Sequence, residues 1–317
     1  EYGEGVRNRR DAYSLSIPEL FPENRGGLIP TVAIAGLSPV GASQLFANRY
    51  RNYTVADSLS HQSGGHTLKA GLLVAFEEKD ERSTSATQGS FTFAAGGGRT
   101  AFQNFLTGNA GSLCGASCAY TEPESEIFSQ LRYRRYELFV QDSWRARPGL
   151  TLDLGLRYAV YPGVTDRNDV LTNFVPARFD PAAAPAWSGP DAATLVAGSG
   201  DFTNGIIVAG RSSPHGRRVH ATDWGAVQPR LGVSWDPAND SKTMVRAGFG
   251  VFYDQPLVGV FLQNAATNPP FVTSPVILNP LLSSPGAGTS RTAVPPASLV
   301  ATGDDFVLPR TLQWSAG

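Results

Sequence analysis

The sequence predicts an all-β chain: a section of a transmembrane antiparallel β-barrel with long extracellular loops. Three observations predict it. Apolar and polar residues alternate in runs of about 10–12 residues, twice the usual strand of about 5–6. Tight turns take turns with very long connections. The cations Lys69, Arg157 and Arg246 within the runs fall on the side opposite the apolar stripe.

The clearest run begins at Leu150. Leu150, Leu152, Leu154, Leu156, Tyr158 and Val160 interleave with Thr151, Asp153, Gly155, Arg157 and Ala159. This is period two without a break, which a helix would scatter around its circumference. The preceding run puts Tyr136, Leu138, Val140 and Trp144 on one face, against Glu137, Phe139, Gln141 and Ser143, with Asp142 interrupting the apolar side. Arg145-Ala146-Arg147-Pro148-Gly149 joins the two as a turn, because Pro and Gly supply the backbone angles a tight reversal needs.

Two further hairpins follow the same grammar. Tyr53, Val55 and Leu59 precede the turn Gln62-Ser63-Gly64-Gly65, with Asp57 as a second polar exception expected near the turn. Leu68, Ala70, Leu72, Val74 and Phe76 return, opposite Thr67, Lys69, Gly71, Leu73 and Ala75. In the third, Leu231, Val233 and Trp235 lead into Asp236-Pro237-Ala238-Asn239-Asp240, and Val245, Ala247, Phe249, Val251 and Tyr253 lead out. Leu312 to Gly317 reads as a seventh strand, cut by the chain end, and one or two weaker strands are expected before residue 50.

The connections at 77–130, 162–226 and 254–305 are rich in Gly, Pro, Ala, Ser and Asn and read as irregular loops, with one short strand, Ser90-Phe91-Thr92-Phe93, in the first. Compact soluble domains rarely carry such lengths, whereas outer-membrane barrels pair short periplasmic turns with long outer loops. Ten residues at about 3.3 Å each, tilted by about 45°, climb roughly 23 Å, close to an apolar band about 25 Å tall. Lys69, Arg157 and Arg246 all avoid the apolar stripe, where an Arg or Lys would cost about 2–4 kcal/mol in mid-membrane. The smallest barrels close with about eight strands, so seven with loops this large belong to a bigger one.

Composition agrees. Charged residues make up 17% of the 317, net charge is −1, and 34 Gly and 23 Pro suit turns rather than helices. No basic footprint suggests nucleic acid. No apolar run is long enough for a transmembrane helix, which says nothing against strands.

Several segments resemble the barrel of TonB-dependent receptors of the Oar-like group. They are His66–Gly71, Phe139–Trp144, Leu150–Tyr158, Gln228–Ser234 and Val245–Asp254, with Phe105-Leu106-Thr107-Gly108 before the first long loop. The likeness runs from about residue 50 to the end. It implies a 22-stranded barrel in the outer membrane of a Gram-negative-type bacterium, filled by an N-terminal plug and driven by the TonB complex. Residues 1–317 are then one incomplete barrel domain, with the plug and the closing C-terminal strands outside it. The expected partners are membrane lipid, the TonB complex through that missing region, and an imported ligand of unread identity. Two other functions fit the same residues: a barrel-anchored surface adhesion or structural protein, and a passive porin.

Candidate site residues are few. Lys69, Asp153, Arg157, Arg230 and Arg246 are expected to face the lumen, where they could line a path, pair along the wall or meet the plug. Cys114 and Cys118 are close enough to form a small disulfide loop in an oxidising compartment; free thiols and half of a zinc site are the alternatives. His215 and His220 read as a solvated loop, His61 and His66 as residues facing water or headgroups beside a turn, and Asp236, Asn239 and Asp240 as turn chemistry rather than calcium ligands. Trp144, Tyr158, Trp235 and Tyr253 fit interfacial girdles. No nucleophile elbow, phosphate loop or paired catalytic carboxylates stand out, so no enzyme activity and no cofactor are expected.

Overall fold

The computed structural model describes residues 17–22, 29–41, 46–83, 89–108, 118–124, 128–188, 194–196, 198–256, 259, 261, 268–271, 274–287, 290–294, 299–303 and 305–317. Seven long strands dominate it: β1 (Phe46–Ser63), β2 (His66–Ser83), β3 (Phe128–Arg147), β4 (Leu150–Val160), β5 (Val227–Trp235), β6 (Val245–Tyr253) and β7 (Arg310–Ala316). Each pairs antiparallel with the next, so spatial order equals chain order from β1 to β7. This up-and-down meander does not close: β1 and β7 are its edges. The three short turns lie at one end and the three long connections at the other.

The register sorts the side chains as the alternation predicts. One lateral row runs His61, Leu68, Asp142, Leu154, Leu231, Phe249 and Trp314 across all seven strands. The next row up this face runs Leu59, Ala70, Val140, Leu156 and Pro229. Leu156 is 46% exposed and Phe249 42%, and among the described residues the stripe meets a buried cluster only at its upper end, through Tyr253. A wide oily surface otherwise left bare is what hydrocarbon would cover. No helix of the described residues is long and apolar enough to cross a membrane.

Two expectations about the strands need correcting. The first hairpins are longer than ten or twelve residues: β1 and β2 have 18 each and β3 has 20. Above the apolar band they continue with Arg, Glu and Asp, because backbone pairing costs nothing extra once the register is set. Asp57 is not near the turn. It pairs with Leu72 well up the apolar stripe, where its Oδ1 accepts the Ser58 amide at 2.8 Å.

The long connections contain the strand expected at Ser90–Phe93 and further short strands that pair with it across the chain. A five-stranded sheet gathers Thr31–Ile34, Ser90–Phe93, Cys118–Thr121, Ser274–Leu278 and Ser290–Val294, in that order. Thr31–Ile34 is the weak strand expected before residue 50. Phe91, Phe93, Cys118, Tyr120 and Ile277 form its core. Beside it a one-and-a-half-turn helix, α1 (Ala101–Leu106), is held by a capping box: the Thr100 side chain accepts the Gln103 amide at 3.2 Å, and Gln103 returns the bond to the Thr100 amide at 2.9 Å.

Candidate functional site

The polar face of the ribbon holds the chemistry. From the turn end upward its rows are Thr67–Ser143–Asp153–Gly232–Gly248–Ser315, then Lys69–Gln141–Gly155–Arg230–Gly250–Gln313, then Gly71–Phe139–Arg157–Gln228, then Leu73–Glu137–Ala159. Lys69, Asp153, Arg157, Arg230 and Arg246 thus share one face, the one opposite the apolar stripe.

Glycine makes room for a repeated device on this face. A Cβ on Gly71 would sit 2.6 Å from the Phe139 ring, so the ring lies flat over the glycine. The Arg157 guanidinium stacks over that ring, 5.6 Å from its centre. On β6 a Cβ on Gly250 would sit 2.7 Å from the Phe252 ring, and Arg230 stacks over it at 4.7 Å. Each planar cation is thereby held by a π-face, which restricts its motion without neutralising its charge.

Glu137 is the hub above them. It is 8% exposed, and its Oε2 accepts from Arg157 at 2.6 Å while Arg135 approaches its Oε1 at 3.7 Å. The Tyr161 hydroxyl donates to the same Oε1 at 3.5 Å. Burial, reinforced by the Glu137 charge, pushes the Tyr161 phenol up to about 12, so it remains a donor throughout the physiological range. A carboxylate this enclosed keeps its charge only with partners around it. Arg230 has no ion pair among the described residues, nor do Lys69, Asp153 and Arg246. The structure therefore brings Arg157 and Arg230 together as one cationic patch and leaves the other three candidates apart. Glu137, Arg135, Tyr161 and the two phenylalanines escaped the sequence reading as site residues. Parity had put Glu137 and Phe139 on the correct face, but their convergence depends on register.

Above this patch β3 turns apolar at Tyr133 and Leu131, opposite Glu77 and Lys79 of β2, and the connections pack onto it. Leu131 and Tyr133 of β3 are buried against Val164, Leu171, Ala209 and Val219 from the β4–β5 connection and Phe261 from the β6–β7 connection. Ala159 of β4 is covered by Ala226 and Leu308. Asn173, fully buried, ties the connections together: its amide donates to the carbonyls of Val219 at 3.1 Å and Thr302 at 2.8 Å, and its oxygen accepts the Thr302 amide at 2.8 Å. Arg217 clamps one tip through Asp169 at 2.6 Å and the Asp166 carbonyl at 2.8 Å.

The remaining candidates resolve individually. His220 is not solvated: it is 4% exposed, stacked 5.0 Å from Phe261, with Nδ1 2.7 Å from the Ala221 carbonyl. His66 does not merely face water, for it stacks on Trp144 at 5.2 Å and meets Asp142 at 2.7 Å. This pairing explains how Asp142 is held on the apolar face. Asp236 caps its own turn, accepting the Ser241 amide at 2.7 Å and the Asp240 amide at 3.4 Å. No group of three or more potential metal ligands occurs among the described residues. Cys118 is disulfide-bonded and fully buried; Cys114 lies outside the described residues.

An uninterrupted antiparallel meander with one oily and one polar face defines a membrane β-barrel wall. A sequence family described as an outer membrane beta barrel domain matches residues 4–317. The chain belongs to that family, which places it in the outer membrane. No curated protein matches the chain.

Proposed function

We propose that the chain is the barrel wall of a TonB-dependent transporter, importing a ligand by energy-coupled uptake across the outer membrane of a Gram-negative-type bacterium. The supporting observation is the inward packing of the long connections. They do not stand free of the wall but fold onto its polar face through Leu131, Tyr133 and Ala159 and are bonded to one another through Asn173. An ordered roof over a polar wall suits a ligand that is captured first and admitted later. The five segments resembling Oar-like receptors support the same reading. In it the long connections face the cell exterior, Arg157 and Arg230 face the lumen, and the chain acts on its ligand by binding and passage, not by chemical conversion.

The test uses the complete gene product in cells. Uptake of labelled siderophores, glycans and peptides is measured with the TonB complex present and deleted. Uptake that disappears on deletion supports the proposal. Undiminished uptake would make the protein a passive porin, and surface binding without uptake would make it an adhesion protein.

A further inference from the structure

The edge strand β1 carries a charge that its own sheet does not balance. Asp57 shares the apolar stripe with Val55 and Leu59 and lies opposite Leu72 of β2. It is exposed, and it stands six residues from Ser63, where β1 ends at its turn. At about 3.3 Å per residue and a tilt of about 45°, that is roughly 14 Å above the turn, the middle of an apolar band about 25 Å tall. Its Oδ1 accepts the Ser58 amide at 2.8 Å, and it makes no ion pair among the described residues. One hydrogen bond leaves most of a carboxylate's acceptor capacity, and all of its charge, turned toward hydrocarbon. Asp142, the other carboxylate of this stripe, is held differently: the His66 imidazole stands 2.7 Å from it. Ionisable side chains at membrane depth persist where they meet a counter-charge.

Topology fixes the direction from which a counter-charge can reach Asp57. On one side β1 pairs with β2 along its whole length, and Leu72 occupies the facing position. Val55 and Leu59 flank Asp57 along its own strand. On the remaining side β1 is the open edge of the meander among the described residues. A strand inside a bilayer does not leave a row of amides and carbonyls unpaired, so the complete wall has a further strand along this edge. Residues opposite one another in such a pair share a face, with Cβ atoms about 4.5–5.5 Å apart, and diagonal neighbours come within reach of long side chains.

We infer that the strand completing the wall beside β1 carries an Arg or Lys on its lipid-facing side, opposite Asp57 or at a diagonal neighbour. Each charge alone is costly in the band, so the pair also fixes the register of this seam. The seam lies on the outside of the barrel and does not depend on what the barrel transports.

The test uses the full-length protein in phospholipid bilayers, with unfolding followed in denaturant. Asp57→Asn keeps an acceptor for the Ser58 amide and removes only the charge. Asp57→Leu continues the apolar stripe, and Asp57→Glu keeps the charge. A carboxylate alone in oil would make the Asn and Leu variants at least as stable as the parent. A cation facing Asp57 reverses the sign, because removing the carboxylate leaves that cation unpaired in hydrocarbon. The folded-to-unfolded ratio of both variants should then fall at least about thirtyfold, while Asp57→Glu stays near the parent. Parent-like or greater stability of Asp57→Asn overturns the inference. Assembly supplies a second readout, through heat-modifiable migration in gels. In the Asp57→Leu background, changing one lipid-facing Arg or Lys of the adjoining strand to Leu should restore the folded band. An adjoining strand with no such residue, or with none that restores assembly or stability, overturns the pairing.

Discussion

At the scale of single residues, the polar face is organised by what glycine leaves out. Gly71 lies between the Asp57 carbonyl and the Phe139 ring, each 2.6 Å from where a Cβ would stand. Valine there must displace the ring, and with it the Arg157 guanidinium. Overpacking of this kind costs about 1–3 kcal/mol, so Gly71→Val should lower the unfolding free energy of the lipid-reconstituted full-length protein by that amount, read as a lower denaturant midpoint. Gly155 is the contrast, since its nearest neighbours, the Arg230 and Gln141 Cβ atoms, would sit at 3.6 and 3.7 Å, and Gly155→Ala should leave the midpoint unchanged. If Gly71→Val is as stable as the parent, the ring is not pinned as described. Alternation alone put Gly71 and Arg157 on one face. That a phenyl ring from the strand between them would bridge the two was not legible, because it requires the cross-strand register.

At the scale of the element, the two faces of β4 make opposite demands on the same residue type. Leu156 lies mid-band between Val140 and Pro229, with no charge in its row. Leu156→Arg should cost about 2–4 kcal/mol of stability in the bilayer and reduce the folded fraction seen by heat-modifiable migration. Gly155→Arg, one position away, points a cation into the polar face opposite Arg230 and should assemble better than Leu156→Arg, losing only the smaller cost of like charges across a strand pair. Leu154→Arg should fall between them, because Leu154 pairs directly with Asp142, which can accept the guanidinium. Equal assembly of Leu156→Arg and Gly155→Arg would refute the assignment of faces. The strand pattern was legible in the sequence because a buried or lipid-covered face must alternate with period two. The upward extension of β1 to β3 was less so: Arg51, Glu78, Asp80 and Arg132 look like loop chemistry until their pairing is seen.

At the scale of the whole molecule, the connections and the wall form one body through shared cores. Phe261 joins them, 2% exposed and packed on His220 and the cluster around Leu131. Phe261→Ala should cost about 3–5 kcal/mol locally, which would detach the roof without opening the wall. Limited proteolysis of the full-length protein should then cut within residues 161–226 or 254–309 while heat-modifiable migration persists; protection equal to the parent's would show that the roof is held elsewhere. What the sequence by itself determined was the wall: seven strands, their neighbours in order, their turns, and which side chains meet oil. Those follow from local periodicity and from the rule that a strand with one oily face tolerates no slip. Only the tertiary structure decided the rest. The five-stranded sheet joins segments as distant as Thr31–Ile34 and Ser290–Val294, Asn173 reaches Thr302, and Glu137 gathers Arg135, Arg157 and Tyr161. Such contacts span long stretches of chain whose residues carry no period, so no local pattern announces which of them will meet.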